Sequence, residues 1–468
     1  MPELPEVETV KRVLLPIVKE RTITKIDINR ATIVNNKSDE FIAYYQNERF
    51  LDISRIGKFL IFHLTNNKVL ISHLRMEGKY IELFENEEDT KYARVVFHLD
   101  NNHKICYDDS RSFGRMIMSD EVSYLKEKEI AKLGPEPFVI DDVSNLLNKS
   151  KRLSLPIKTA LLSQELITGL GNIYVDEVLF ASQIHPLTPA KLIKKEEWEK
   201  IIKESKRILA AAIQAGGSTI KSYHPGKDID GNFQTSLLAY GRNGQKCVVC
   251  HTNMRFIKVN GRGTTFCPHC QKKLGAPLRI AIVGKIASGK SAVLDVFRKE
   301  KYLALSSDEI VHNLYRDEQL QELIFKRLKL KHNSDFLTAL REHLKVNSKD
   351  LDRLEKIVHP LVKEEIEKQF KNSKSPLLVA EVPLLFKAKM ENMFDVIIGV
   401  DISERKQLER LEIREQEKSA FLKRINDQNN MFYEHRDDLD FVIDNNKDLS
   451  SLEKETKAII NKVLSRLN

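Results

Sequence analysis

At 468 residues, with 41% hydrophobic and 31% charged side chains, the chain has the composition of an ordinary globular protein of two to four domains. It holds no apolar run of 18 residues and no leader with a charged start, apolar middle and cleavage site, which excludes a helical membrane protein and directs the expectation to the cytoplasm. The net charge of +9 is uneven: residues 231–276 carry seven basic side chains and no acidic one, so a polyanion, nucleic acid first, is the expected partner.

The chain opens MPELPEVETV. With Met1 removed, Pro2 becomes the terminus and offers a free secondary amine, a nucleophile with the Glu3 carboxylate one residue away; a proline in a frayed end would look the same. Val7, Val10, Leu14 and Ile17 then recur at helical spacing. The short runs TITKIDI, FLIFHL, KVLISHL, KYIELF and ARVVFHL, parted by turn signals such as TNN and LDNN, predict a β-sandwich or barrel to about residue 130. Cys106 lies in the alternating stretch HKICYDD and reads as a small buried hydrophobe. From about 141 to 214 the pattern is helical, with a tight turn predicted at GLGN between two helices, and the Gly-rich loop GGSTIKSYHPGKDIDGNFQ follows.

Four of the five cysteines fall within 24 residues, as CVVC and CPHC. Each pair chelates from one knuckle, so Cys247, Cys250, Cys267 and Cys270 predict a closed four-thiolate zinc site with a structural role; His251 and His269 are surplus to it. The intervening RFIKVNGRGTTF reads as a β-hairpin with an Asn-Gly turn and Arg262 at its tip, placed to enter a DNA groove.

These pieces resemble the bacterial formamidopyrimidine-DNA glycosylases, through MPELPEVET, RIGKFL, SHLRMEGKY, DDSRSFGRM, LGPEP, KTALLSQELITGLGNIYVDEVLF, AGGSTI, GNFQTSLLAYGR and CPHCQ across residues 1–273. The resemblance implies a β-sandwich, a helix-two-turn-helix domain and a zinc ribbon. It makes Pro2 the nucleophile that attacks C1′ of a damaged nucleotide and leaves an iminium, with Glu3 the proton donor to the opening sugar and Glu6 in support. Because a free α-amino group titrates at about 7.7–8.0, a neighbouring cation or burial would help keep it neutral. Lys58 and Arg262 complete the implied catalytic set, and His73, Met76, Arg111, Phe113, Lys158 and Asn172 the DNA contacts. Among these, Phe113 would wedge between bases and Arg111 face the orphaned cytosine, while Lys158 and Asn172 would grip phosphates. The 216–224 loop, with Ser218 and Thr219, resembles the lid over an extruded 8-oxoguanine; Ser163 stands where the family's motif has aspartate. An endonuclease VIII-type activity on oxidised pyrimidines is the alternative within this fold, and a lesion-binding protein without turnover the non-enzymatic one.

At LRIAIVGKIASGKS a buried-strand run ends in a phosphate loop of the form G-x-x-x-x-G-K-[ST] and a helix begins. Gly284, Lys285, Ile286, Ala287, Ser288, Gly289, Lys290 and Ser291 are thereby the expected ATP contacts, Lys290 reaching the β- and γ-phosphates and Ser291 holding Mg²⁺. The later series SSDEIVHNLY, IVHPLV, EVPLLF, QLERLEIR, RINDQ and DFVIDNN resembles dephospho-CoA kinase over about 278–468. That resemblance implies Asp308 as the base for the attacking hydroxyl and Arg410 and Arg414 as lid arginines, with His359 and Pro360 structural or on the substrate side. Ser306, Lys285, Ala287 and Lys387 depart from the pattern, and Ala287 is expected to need an ordinary φ. A degenerate nucleotide-binding module is the competing reading.

The fold class expected is therefore multidomain: a β-sandwich over 1–130, a helix-two-turn-helix domain over 131–235, a zinc ribbon over 236–275, and an α/β P-loop kinase domain with a parallel sheet over 278–468. The expected partners are damaged double-stranded DNA, ATP and dephospho-CoA, with one structural Zn²⁺ per chain and Mg²⁺ with ATP; no membrane partner is expected, and the chain is read as a monomer.

Overall fold

The computed structural model describes residues 2–218, 232–330, 335–347, 350–412 and 419–467, leaving the side chains at 345, 412 and 419–424 aside. Among the described residues no helix is long and apolar enough to cross a membrane. The chain divides into two compact units, one running to Gln271 and the other from Lys272 to Asn468, with Cys250–Asn253 counted with the second.

The first unit begins with the helix Leu4–Val18. Its buried stripe is Val7, Val10, Leu14 and Val18, so the spacing of three, four and four keeps one face inward and leaves Ile17 at the margin. Eight strands follow: β1 (Ile23–Ile28), β2 (Phe50–Ile56), β3 (Phe59–Leu64), β4 (Lys68–His73), β5 (Lys79–Phe84), β6 (Ala93–Leu99), β7 (His103–Asp108) and β8 (Arg115–Asp120). They form two antiparallel four-stranded sheets in the orders β1-β6-β7-β5 and β2-β3-β4-β8. Phe50 and Phe62 of one sheet meet Phe97 and Tyr80 of the other, with ring centroids 5.6–6.4 Å apart, so the unit's core lies between two facing sheets and the architecture is a sandwich.

The helices Ile157–Leu162, Asn172–Ala181 and Lys195–Gln214 pack around the buried Trp198, Tyr174 and Leu170. The break between the first two is longer than GLGN alone: residues 163–168 also leave the helix, although they read as helical. Gln164 takes a φ of +67°, and its side-chain amide bonds Gly169 N–H and Leu170 O, giving the backbone partners that a continuing helix would have supplied. The zinc-ribbon hairpin consists of β9 (Arg255–Val259) and β10 (Arg262–Phe266), turned through Asn260 and Gly261, both at positive φ.

The second unit carries a five-stranded parallel sheet, β11 (Leu278–Gly284), β12 (Leu303–Ser306), β13 (Leu377–Glu381), β14 (Val396–Asp401) and β15 (Phe441–Asp444), in the order β12-β13-β11-β14-β15. Leu278, Ile280 and Ile282 of central β11 enter one hydrophobic cluster, and Ala281 and Val283 another, which is why the strand reads as a continuous apolar run. The phosphate loop leaves the carboxyl end of this central strand, between the ends of β13 and β14.

Candidate active sites

Pro2 is buried at the start of the first helix, and Glu3 beside it is 2% exposed. The Glu3 carboxylate sits on the N-terminus of the helix Asn172–Ala181, accepting hydrogen bonds from the N–H groups of Gly171, Ile173 (2.9 Å) and Tyr174 (3.4 Å). A β-carbon at Gly171 would lie 2.5 Å or less from this carboxyl group, so the second glycine of GLGN is what admits Glu3. Burial raises the Glu3 carboxyl to about 7, against the pull of Lys58 and of the backbone donors. Burial likewise lowers the Lys58 ammonium, to about 8, and its Nζ donates to Leu170 O at 2.7 Å. Glu6 closes the group: it accepts from Glu3 N–H (2.8 Å), Tyr174 OH (2.7 Å) and Ser218 N–H (2.8 Å). The arrangement puts a carboxyl group raised to about 7 next to Pro2 and a buried cation within its electrostatic reach, groups suited to acid–base chemistry at neutral pH.

The remaining residues singled out in the first unit occupy three settings. Arg111 and Phe113 lie on the exposed β7–β8 loop, the guanidinium 4.7 Å over the ring and Phe113 48% exposed, while Met76 is half-buried on the β4–β5 turn. His73 is buried edge-on to Phe59, its Nδ1 accepting from Arg75 N–H; burial, with the charges of Arg75 and Lys58, lowers it to about 3. Lys158 is fully buried: its Nζ bonds Asp176 (2.6 Å) and Gly263 O (3.1 Å), and Asn172 Nδ2 bonds the same Gly263 O (3.1 Å). Both thereby hold the strand that begins with Arg262, which is exposed. Thr219, expected in a lid, lies outside the described residues.

The four cysteine sulfurs lie within 4.8 Å of one another, with Cys247 and Cys270 at 3.9 Å. A zinc tetrahedron with Zn–S of about 2.3 Å has S–S edges of about 3.8 Å, so this donor set fits a closed structural zinc site.

In the second unit a cavity of about 1190 Å³ opens over the phosphate loop. Lys290 Nζ bonds Lys285 O (2.9 Å) and Gly284 O (3.3 Å), and burial lowers its ammonium. Ser291 Oγ donates to Glu381 at 3.3 Å, and Asp308 lines the same cavity. Ser306, at the position of an expected aspartate, caps the helix Ser307–Leu314 by accepting from Glu309 N–H. Ala287 overturns its expectation: its φ is +57°, the left-handed region, so the loop holds a β-carbon where glycine would be free of strain. Arg410 donates to Ala287 O (3.2 Å) and Asn445 O (3.4 Å); Arg414 lies outside the described residues. His359 lines the cavity and Pro360 is exposed, while Lys387 pairs with Glu355 (2.6 Å) and Asp352 (3.1 Å).

Several residues that matter were not singled out from sequence. Glu381 ends a buried parallel strand, and its burial, which raises the carboxyl, places an acid opposite Ser291. Its signal was a lone acid at the carboxyl end of LLVAE. Asp176 and Glu177 form an acidic pair inside the apolar run NIYVDEVLF; Asp176 takes Lys158, and Glu177 accepts three successive backbone N–H groups from Leu238 to Tyr240 at 2.8 Å. Asp109 holds the Arg111–Phe113 loop by accepting from Arg111 N–H (3.0 Å) and Gly114 N–H (2.8 Å).

Four family models match the chain. They are the formamidopyrimidine-DNA glycosylase N-terminal domain over residues 1–116, the formamidopyrimidine-DNA glycosylase H2TH domain over 133–224, the zinc finger found in FPG and IleRS over 244–273, and dephospho-CoA kinase over 278–451. The formamidopyrimidine-DNA glycosylase of Listeria innocua is 40% identical over 277 residues, and that of Shouchella clausii 44% identical over 276; each alignment spans 58% of this chain and all of the relative. Among solved structures, wild-type Lactococcus lactis Fpg bound to DNA containing N7-benzyl-Fapy-dG matches with a TM-score of 0.55 at 36% identity, covering 58% of this chain and all of that one. The same enzyme bound to abasic-site DNA matches with a TM-score of 0.55 at 36% identity over the same shares.

Proposed function

The chain belongs to the formamidopyrimidine-DNA glycosylase family, and from that premise we propose that its first 273 residues excise oxidised purines, 8-oxoguanine and formamidopyrimidines, from duplex DNA and cleave the strand through an N-terminal proline. The observation that carries the reading is the Glu3 carboxyl group, buried beside Pro2 and raised to about 7, so that a proton donor and an amine nucleophile coexist near neutral pH. With Met1 removed, the Pro2 nitrogen attacks C1′, the damaged base leaves with the glycosidic electron pair, and Glu3 protonates the sugar ring oxygen as the ring opens. The resulting iminium makes the C2′ protons acidic, so β- and then δ-elimination release the flanking phosphates. Met76, Arg111 and Phe113 fill the space left by the extruded nucleotide, and Lys58, Arg262, Lys158 and Asn172 hold the backbone directly or through the loops they fix. Borohydride reduction of the enzyme on an 8-oxoguanine duplex should leave a covalent protein–DNA adduct, lost when Pro2 is blocked by a retained residue. Adducts only with oxidised pyrimidines would transfer the activity to the endonuclease VIII type, and binding without any adduct would make this a lesion-binding protein.

The second unit, on this reading, is a cytoplasmic dephospho-CoA kinase that moves the γ-phosphoryl group of ATP to the ribose 3′-hydroxyl. Asp308 takes the hydroxyl proton, Lys290 holds the phosphates, and Ser291 with Glu381 would hold Mg²⁺, which supplies charge neutralisation when bound. Formation of CoA from dephospho-CoA and Mg²⁺–ATP, lost in Lys290→Ala, is the expected result. ATP binding without turnover would reduce residues 278–468 to a nucleotide-binding module.

A further inference from the structure

Each carbonyl of the phosphate loop from Gly284 to Ser288 is held by a side chain. Gly284 O accepts from Lys290 (3.3 Å) and Gln428 (3.4 Å), and Lys285 O from Lys290 (2.9 Å). Ile286 O accepts from Gln407 (2.9 Å), Ala287 O from Arg410 (3.2 Å) and Ser288 O from Asn445 (2.7 Å). Tying the carbonyls back orients the loop's peptide units, whose N–H ends are what a phosphate needs. A loop of free glycines would reach this shape unaided, but here Ala287 must be kept at a φ of +57°.

Two residues before Ala287, Lys285 is 1% exposed and does not line the cavity. Its ammonium bonds Asp401 at the end of β14 (2.8 Å), Ile402 O (3.0 Å) and Tyr433 OH, and lies 4.3 Å over the Tyr433 ring. A lysine in a phosphate loop invites the reading of a phosphate ligand, but this one is spent on Asp401. Because Asp401 neutralises it, the pair contributes geometry to the loop more than field to the nucleotide. An unpaired buried charge would be costly, so the contact ties the loop firmly to β14 and to the helix Ser419–Glu434.

We propose that Lys285 is a positioning residue for the nucleotide: an internal cation that pins the phosphate loop to Asp401 and Tyr433 and so holds Ala287 in the left-handed conformation that receives the triphosphate. This rests on the reading of the second unit as an ATP-using kinase and adds a side chain that acts without touching substrate.

The test uses the full chain, binding of a fluorescent ATP analogue with Mg²⁺, and steady-state kinetics on dephospho-CoA. Lys285→Met is expected to weaken the analogue and raise KM for ATP about tenfold, with KM for dephospho-CoA and kcat changed much less. Adding Ala287→Gly to that variant should restore most of the ATP affinity, because glycine needs no tether at positive φ; general loss of stability would not be repaired this way. Asp401→Asn, the milder second variant, should weaken ATP in the same sense, and its effect should not add to that of Lys285→Met. Wild-type affinity in Asp401→Asn, or failure of Ala287→Gly to restore binding, overturns the proposal. Analogue binding is read independently of turnover, so a chain that binds ATP without phosphorylating dephospho-CoA sinks the kinase reading while still deciding the role of Lys285.

Discussion

The pocket around Glu3 and the loop around Lys290 both bury a lysine ammonium against backbone carbonyls, but from opposite starting points. Lys58 meets the carbonyl of a residue 112 positions away, and Glu3 meets N–H groups 168 to 171 positions away. Lys290 meets carbonyls only five and six residues before it. A site assembled from distant segments works only when every segment presents its own residue, and this chain keeps Pro2, Glu3, Lys58 and Gly171 together. A locally closed loop can be supported from outside, which is how Lys285, Ala287 and Ser306 are accommodated through Asp401, Arg410 and a helix cap. Departure from a motif thus carries different weight in the two units.

The sharpest way to break this contrast is Glu3→Gln. It should lower base excision by about 10²–10⁴-fold in single-turnover assays, and wild-type excision should decline as pH rises past about 7, where Glu3 gives up the proton it must donate. The same shift has a stability consequence. A carboxyl raised from 4.5 to about 7 by burial contributes stability below its unfolded value and loses it as pH rises through the folded one. Glu3→Gln should therefore raise Tm at pH 8 by a few degrees, on the order of 1 kcal/mol, and the gain should vanish near pH 4; an unchanged Tm at pH 8 would mean that Lys58 and the helix N-terminus fully offset the burial.

For the local loop, Lys290→Ala should reduce phosphoryl transfer by about a hundredfold or more, with base excision by the same preparation as the folding control. Residual transfer near the wild-type rate would deny the loop its role. Cys250→Ser should release zinc, measured by metal analysis, and weaken duplex binding about tenfold, because Arg262 and the Gly263 carbonyl that receives Lys158 and Asn172 ride on the hairpin between the cysteine pairs. The smallest effect is expected at Phe113→Ala, whose exposed ring should cost lesion-duplex affinity about fivefold, or ~1 kcal/mol of base stacking; fluorescence anisotropy on lesion and undamaged duplexes separates stacking from general backbone contact.

Much of this protein follows from its sequence alone. Short apolar runs parted by turn signals mark five strands of the two sheets, the paired knuckles specify the sulfur cluster, and a continuous apolar run followed by GKIASGKS specifies a parallel strand and its phosphate loop. These are short-range signals, in which the residue pattern and the local backbone carry the same information. Residues 163–168 read as helix but join the GLGN break, where the Gln164 side-chain amide bonds backbone groups 5–6 residues on. Lys158 is expected to grip a phosphate and is buried on Asp176, Ala287 reads as needing an ordinary φ and takes a left-handed one, and Glu381 is not singled out until β13 sets it against Ser291. Local pattern determines which elements form and which reactive groups are on hand. Burial, charge pairing and backbone strain depend on separate segments meeting in space, and only the tertiary structure decides that burial raises Glu3 to about 7, that Lys158 faces inward and that Lys285 serves the loop from behind.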